Sequence, residues 1–311
     1  MEHLFIINPA AGKVDRRAEL SEKIKKVKTE DKVVIKFTQK PGDATEIVKK
    51  YLSETDDFVR VYACGGDGTA NEVLKGIIGF ENCALGVIPM GSGNDFVRSF
   101  EEFTKDEFVD IESMMFGEDK FIDVMECQGR YSMNNMSVGY DAAVAKNVDK
   151  FKRLPLVTGS LAYKLSIVYC LFTKLKHRYR IIADGKEYVG KDVKTLLAVA
   201  GNGKYYGGGI KATPLADFND GKIELMHIKT ISAIRFIFLV STYIKGAHID
   251  NPKLPFVKHT KCESVTFEGD DNIDIGFDGE IISLKNPTVR IVPNAVRVIV
   301  PKVKERVAAT V

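Results

Sequence analysis

Over its first hundred residues the chain repeats one pattern: a short apolar run, a turn, then a helical stripe. Leu4 to Ile7 runs into Asn8-Pro9-Ala10-Ala11-Gly12-Lys13, and residues 16 to 28 read as a charged helix. Val33 to Phe37 leads to Pro41-Gly42-Asp43, after which Ala44, Ile47, Val48, Tyr51 and Leu52 recur at helical spacing. Val59 to Cys64 leads to Gly65-Gly66-Asp67-Gly68-Thr69-Ala70-Asn71-Glu72, with Ala70, Val73, Leu74, Ile77 and Ile78 as the next stripe. Ala84 to Ile88 leads to Pro89-Met90-Gly91-Ser92-Gly93-Asn94-Asp95-Phe96. Strands alternating with helices require a parallel sheet covered on both faces. In such sheets ligands bind beyond the carboxyl ends of the strands, where these turns fall.

The turn chemistry points to phosphate. Glycines let backbone approach a ligand closely, and a helix start offers free N–H groups to phosphate oxygens. The acid between the glycines, Asp67, repels bare phosphate. Its candidate partners are therefore a metal ion bridging phosphates or a ribose hydroxyl, and the plain alternative is a tight strand-to-helix turn. Lys13 is a candidate point charge for phosphate, Ser92 and Asn94 offer hydroxyl and amide contacts, and Asp95 is a candidate helix cap. Common phosphate and nucleophile strings fail on spacing. The position five residues before Gly12 is Ile7, where a P-loop needs glycine, and Gly91-Ser92-Gly93 is followed three residues on by Phe96, where a dinucleotide fingerprint needs glycine. No GxSxG elbow surrounds Ser92.

After about residue 120 the pattern turns antiparallel. Phe121 to Cys127 and Tyr131 to Val138 read as a hairpin across Gln128-Gly129-Arg130, and Asp184-Gly185 marks a second. Leu196 to Ala200, Lys222 to Ile228, Glu263 to Phe267 and Val289 to Val300 add strand-like runs. Two inserted helices are expected. One carries the stripe Leu161, Leu165, Val168, Phe172, Leu175; the other, Ile231 to Ile244, is apolar enough to line the core or a lipid cavity.

Several function classes are excluded by composition. Forty-five Lys+Arg against 42 Asp+Glu leave a formal charge of +3, so neither a strongly basic nucleic-acid binder nor an acidic tail is expected. No stretch approaches the roughly 18 consecutive apolar residues of a spanning helix. The first residues show no signal-peptide pattern. The five cysteines form no CxxC, no HExxH occurs, and scattered free thiols fit a reducing cytoplasm.

Taken together, Asn8-Pro9-x-x-Gly12-Lys13, Gly65-Gly66-Asp67-Gly68-Thr69 with Asn71-Glu72, and Pro89-x-Gly91-Ser92-x-Asn94-Asp95-Phe96-x-Arg98 resemble the diacylglycerol kinase catalytic domain family, which includes bacterial lipid kinases and the sphingosine and ceramide kinases. Order and separation match through most of the chain. NAD kinases share the GGDG element but lack the other two turns in this form. Ala11 stands where these kinases commonly carry serine, and Ser92 where they commonly carry threonine.

The resemblance implies an NAD kinase/diacylglycerol kinase-like α/β domain over residues 1–120, with 285–311 packing back onto it. It also implies a mainly antiparallel β-sandwich domain over 121–284, and lipid entering the cleft between the two. ATP with Mg2+ is the expected cofactor pair, held by Asn8, Pro9, Ala10, Ala11, Gly12, Lys13, Thr38, Gly66, Asp67, Gly68, Thr69, Ala70, Asn71, Glu72 and Ser92. In Phe277-Asp278-Gly279-Glu280, a hairpin turn by its own chemistry, Glu280 matches the family's base. Asp123, an acid inside an apolar run, matches an acid placed near Asp67 and the metal; a solvent-facing strand position is the alternative. Asp217, Asp220 and the carbonyl of Lys222 match a structural magnesium loop. Gly207-Gly208-Gly209 matches a glycine-rich segment passing close to the cleft.

The expected activity is phosphorylation of a neutral lipid hydroxyl, diacylglycerol first, in the cytoplasm at the inner face of the membrane. A kinase of a soluble substrate and a non-catalytic nucleotide- or lipid-binding regulator are the alternatives. From Lys146 to Arg180 nine Lys/Arg stand against the single acid Asp149, which suits either an anionic lipid surface or the dipole of a core-packed helix. Nucleic acid is not an expected partner, and a homodimer stays open.

Overall fold

Runs of β-branched and aliphatic residues bounded by Gly, Pro and Asp turns set the strands, and apolar residues at three- and four-residue spacing set the helices between them. The computed structural model describes residues 1–12, 14–91, 93–152 and 159–302. It divides into two units, Met1–Ile122 with Asn294–Val311, and Asp123–Pro293.

The first unit runs β1 (Glu2–Ile7), α1 (Arg17–Lys26), β2 (Lys32–Phe37), α2 (Asp43–Ser53), β3 (Val59–Gly65), α3 (Asp67–Ile77) and β4 (Cys83–Pro89). Three short helices follow: α4 (Asp95–Arg98), α5 (Lys105–Val109) and α6 (Ile111–Met115). The four strands are parallel in the order β2-β1-β3-β4, and near the end of the chain Val298 and Ile299 pair parallel with Leu85 and Gly86. β1 and β4 are buried throughout, as a parallel strand covered on both faces must be. α2 buries Ala44, Val48 and Leu52, and α3 buries Ala70, Val73, Leu74 and Ile77, the stripes visible in the sequence. Each fully buried aliphatic side chain contributes roughly 1.5–3 kcal/mol.

The strand β5 (Glu118–Cys127) carries the chain into the second unit. There follow β6 (Arg130–Ser132), β7 (Asn135–Gly139), α7 (Tyr140–Lys152), α8 (Gly159–Thr173), β8 (His177–Arg178), β9 (Arg180–Ala183), β10 (Lys186–Val189), β11 (Lys194–Gly201) and β12 (Ile223–Lys229). The rest is α9 (Ala233–Ile244), β13 (Val257–Cys262), β14 (Ser264–Glu268), β15 (Ile273–Phe277), β16 (Glu280–Leu284) and β17 (Thr288–Val300). One antiparallel sheet is ordered β13-β12-β11-β7-β15-β16, with β8 beside β11. In the other, β9 lies between β10 and β14, and Thr288 to Arg290 of β17 pair with β14. Met125, Met136, Ala198, Leu225, Phe267, Ile275 and Val289 fill the space between these sheets. Alternate residues, Val199 and Met226 among them, pack instead with Tyr140, Cys170, Leu239 and Tyr243 of the helices. β11 is therefore buried on both faces, which explains its unbroken Leu-Leu-Ala-Val-Ala run. The α/β first unit and the β-sandwich second unit are the fold class expected from the sequence.

Three readings change. Tyr131 to Val138 is not one strand: β6 pairs with β5, whereas β7 pairs with β11 and β15. The break at Met133-Asn134 is held by the Asp278 carboxylate, which accepts the N–H groups of Met133, Asn134 and Asn135 at 3.0, 3.2 and 2.9 Å. Among the described residues the inserted helices are three, because Tyr140–Lys152 is helical too. α9 is not sunk in the core: Ile234, Ile237 and Phe238 are exposed, and only Leu239 and Tyr243 are fully buried. The hairpin turns follow their sequences. Gln128-Gly129, Asp184-Gly185 and Asp278-Gly279 all take positive φ at both positions, as a two-residue turn between twisted strands requires.

Candidate active site

In the first unit the turns after β1, β2, β3 and β4 meet around a cavity of about 730 Å³. Asn8 to Gly12, Thr38 to Pro41, Gly66 to Thr69, Glu72, Gly91 and Gly93 line it. Its position follows from the sheet: parallel strands put every β-to-α turn on one edge. Gly12 has φ +87°, and a Cβ there would stand 2.9 Å from the Met90 carbonyl oxygen. A Cβ on Gly91 would meet the Gly66 Cα at 3.0 Å. The glycines thus let three turns close together and leave backbone, not side chains, on the wall.

Polar side chains lock the turns to one another. The Asn8 amide donates to Thr69 Oγ at 3.0 Å, and its carbonyl oxygen accepts the Ala10 N–H at 3.0 Å. Asp67 accepts the N–H groups of Asn94 and Asp95, both at 2.7 Å, with Phe96 at 3.5 Å. Its carboxylate thereby caps α4. Asp95, the expected cap, is the first helical residue instead, and Asn94 holds the cap position at φ +56°. Glu72 accepts the N–H groups of Gly42 and Ala44 at 2.8 and 3.2 Å and so caps α2. Asp67 Oδ2 accepts the Asn94 N–H alone, so this oxygen keeps a lone pair for a hydrated cation over phosphate.

Of the residues expected to hold nucleotide, Asn8, Pro9, Ala10, Ala11, Gly12, Thr38, Gly66, Asp67, Gly68, Thr69 and Glu72 stand in this wall. Ala70 and Asn71 do not: both are buried in α3 and belong to its packing. Lys13 and Ser92 lie outside the described residues. Gln39 and Lys40 were not singled out from sequence, and Pro41 was named only in the turn before a helix. The signal that places them here is topological, since β2 ends on the same edge as its neighbours.

The other expected residues lie in the second unit. Glu280 is exposed and opens β16, paired with Phe277 across the Asp278-Gly279 turn. Asp278 anchors that turn through its three backbone donors. Burial pushes its carboxyl up to about 6, against the pull of those N–H groups. Asp123 is buried rather than solvent-facing. Its carboxylate accepts the Gly221 N–H at 2.7 Å, and its own N–H donates to the Phe218 carbonyl at 2.6 Å. It staples the loop before β12. Asn202, fully buried, donates to the carbonyls of Asp123 and Met133, both at 2.8 Å, and was not singled out from sequence. Gly207, Gly208 and Gly209 all take positive φ within a loop closed by a Tyr206–Ile210 bridge.

The loop expected to hold a structural magnesium is closed by its own groups. Asp217 accepts the Asn219 N–H and Asp220 the Lys222 N–H, both at 3.0 Å. Asp220 also pairs with the Lys261 ammonium, and the Lys222 ammonium pairs with Glu263 at 2.6 Å. Among the described residues no three His, Cys, Asp or Glu side chains are grouped to hold a metal. With the Lys222 carbonyl, Asp217 and Asp220 would offer the oxygen donors of a magnesium ion that keeps several waters, with the Lys261 ammonium held at Asp220 in its place here. Glu224, at the start of β12, is almost fully buried. It accepts the Leu215 N–H at 2.7 Å, and desolvation pushes its carboxyl up to about 7.

Residues 2–127 match the diacylglycerol kinase catalytic domain, and residues 134–300 match the YegS C-terminal NAD kinase beta sandwich-like domain. The chain is similar to a diacylglycerol kinase of Bacillus subtilis (strain 168), 28% identical over 278 residues, 89% of this chain and 88% of that one. It is also 28% identical over 265 residues to a diacylglycerol kinase of Mycobacterium tuberculosis (strain ATCC 25618 / H37Rv), covering 84% and 82%. Among solved structures it is similar to a diacylglycerol kinase from Bacillus anthracis, with a TM-score of 0.68, 21% identity and 96% of each chain covered. That last likeness is one of fold.

Proposed function

This chain belongs to the diacylglycerol kinase catalytic domain family, and from that premise we propose that it is an ATP-dependent lipid kinase acting on the hydroxyl of a neutral lipid, diacylglycerol first. The observation that carries the reading is the glycine-walled cavity of the first unit, with Asp67 at its rim and the N-terminus of α3 opening into it. Backbone N–H groups and a helix start suit the phosphates of a nucleotide. Lys40 adds a cation to the wall.

Phosphoryl transfer to an alcohol requires positioned phosphates, neutralised charge and an acceptor for the hydroxyl proton. Magnesium bound with ATP supplies the charge neutralisation. In this reading Asp67 faces the cation while holding the turn after β4 in place. Glu280 receives the hydroxyl proton, supported by the rigid Asp278-anchored turn beside it. Asp123 keeps the loop before β12 ordered. The enzyme works as a peripheral protein at the inner face of the membrane, since its acceptor resides there. Among the described residues no helix is long and apolar enough to cross a bilayer.

The test is transfer from γ-labelled ATP with magnesium, in mixed micelles, across a panel of lipid alcohols and NAD. Label on diacylglycerol is the expected result. Label on another lipid alcohol keeps the lipid-kinase class and replaces the acceptor. Label on NAD alone overturns the lipid reading. ATP binding without transfer to any member of a widened panel favours a regulator.

A further inference from the structure

α9 sets an apolar row against water. Ile237 and Phe238 lie three and four residues on from Ile234 and share its face, while Leu239 and Tyr243 point into the cluster beneath. On α8, Val168 and Phe172 stand four residues apart and are likewise outward, with Cys170 buried behind them. These five outward side chains are between 54% and 77% exposed. The two helices are neighbours: Thr230, just before α9, donates its hydroxyl to the Leu175 carbonyl, just after α8, at 2.9 Å. Their inner residues share one apolar cluster over the outer face of the β13–β16 sheet, so their outer faces both point away from it. An exposed row of this size on a folded surface marks a docking site more often than an accident of packing.

Charge identifies the occupant. Residues 159–183 contain no acid, nor do residues 225–249. Lys174, Lys176 and Arg178 follow α8, Arg235 lies within α9 and Lys245 at its end, and all five are exposed. None of the five is ion-paired among the described residues. A second copy of the chain docking by this face would bring these cations against themselves. A bilayer containing anionic lipid offers both what the patch needs, an apolar layer for the side chains and negative headgroups for the ring around them.

We propose that the outward faces of α8 and α9 form the membrane-docking surface, with Phe172, Ile234, Ile237 and Phe238 entering the headgroup boundary and Lys174, Lys176, Arg178, Arg235 and Lys245 contacting anionic lipid. The proposal rests on the lipid-kinase reading only for the reason the protein visits a membrane. The experiment is co-sedimentation of the full chain with vesicles of phosphatidylglycerol and phosphatidylcholine, against vesicles of phosphatidylcholine alone. The wild type is expected to bind the anionic vesicles more tightly. Combining Phe172→Ser, Ile237→Ser and Phe238→Ser is expected to weaken that binding at least tenfold, with thermal melting unchanged because the replaced side chains are exposed. Combining Lys174→Gln, Lys176→Gln and Arg178→Gln is expected to remove most of the preference for phosphatidylglycerol.

Transfer to a short-chain, water-dispersed diacylglycerol separates the two readings. Retained transfer with weakened vesicle binding in the serine variant supports both. If no form of the protein transfers phosphate and the serine variant still loses vesicle binding, the kinase reading fails and the docking surface stands. Wild-type vesicle binding by the serine variant overturns the docking surface, and so does a wild-type dimer that becomes monomeric in this variant while vesicle binding is unchanged.

Discussion

In the first unit the acids near the cavity are half-buried and serve as helix caps. Asp67 holds three N–H groups of the turn after β4, and Glu72 holds two at the start of α2, while both remain at the wall. In the second unit only Glu224 is fully interior; Asp141 and Asp278 are half-buried like Asp67 and Glu72, but their carboxyl groups are desolvated. Asp141 accepts from the Tyr206 hydroxyl, Glu224 lies buried under the loop before β12, and Asp278 holds three backbone donors. Desolvation raises all three, Asp141 and Asp278 to about 6 and Glu224 to about 7. A carboxylate at a cavity rim stays available to a ligand, whereas a desolvated carboxylate mainly fixes its neighbours. The difference separates a region built to bind from one built to hold shape around an exposed catalytic candidate, Glu280.

The largest effects are expected where that division is tested at the chemistry. Glu280→Gln keeps the carbonyl and loses the base, so turnover should fall roughly 100-fold or more with ATP affinity kept. Steady-state kinetics with nucleotide titration checks this, and unchanged turnover removes Glu280 from the reaction. Asp67→Ala should abolish transfer and weaken magnesium-dependent ATP binding. It should also leave α4 uncapped, at a cost of about 1 kcal/mol or more. Full transfer in this variant would make Asp67 a cap and nothing else.

The two kinds of carboxylate should differ in stability as well. Asp278→Ala orphans three buried N–H groups and should cost about 3 kcal/mol or more in chemical denaturation. Glu72→Ala removes a cap at a half-exposed site and should cost about 1 kcal/mol. A larger loss from Glu72→Ala would invert the contrast.

The smallest expected effect is in pH. Glu224 ionises near its ordinary value when unfolded but near 7 when folded. Between those values the folded state keeps a proton that the unfolded state has released. Stability should therefore rise as pH falls from about 7 towards 4.5, with a slope of at most about 1.4 kcal/mol per pH unit from this group. Glu224→Gln should flatten that part of the stability profile, and a slope unchanged in the variant would remove Glu224 as its source.

Legibility from sequence follows the range of the interactions involved. The four strand-helix alternations, the glycine turns and the X-Gly hairpins are local patterns, and each appears where the residues put it. Thr38 and Glu72 were named for the cavity wall from sequence and stand in it, whereas Lys40 was not named, because its place depends on where β2 pairs. Tyr131 to Val138 was read as one strand, although its alternation breaks at Asn134-Asn135; it splits there between two partners, with Asp278, more than 140 residues on, taking the N–H groups at the break. The apolar content of α9 pointed to burial, but a helix this apolar can also leave a row outside, and only its packing against β11 and β12 settles which row that is.

Residue types and spacing by themselves determined the α/β first unit, the antiparallel second unit, the turns that must admit positive φ and the string that resembles the lipid kinases. Those features depend on backbone preferences and periodicity within a few residues of one another. Tertiary structure alone decided that Asp67 caps α4, that Asp123 is buried beneath the loop before β12, that Ala70 and Asn71 leave the cavity wall and that α9 keeps one apolar face outside. Each of these depends on which distant backbone group or side chain arrives at the site, and hydrogen-bond partners and packed neighbours are chosen by strand pairing and helix docking across tens to hundreds of residues.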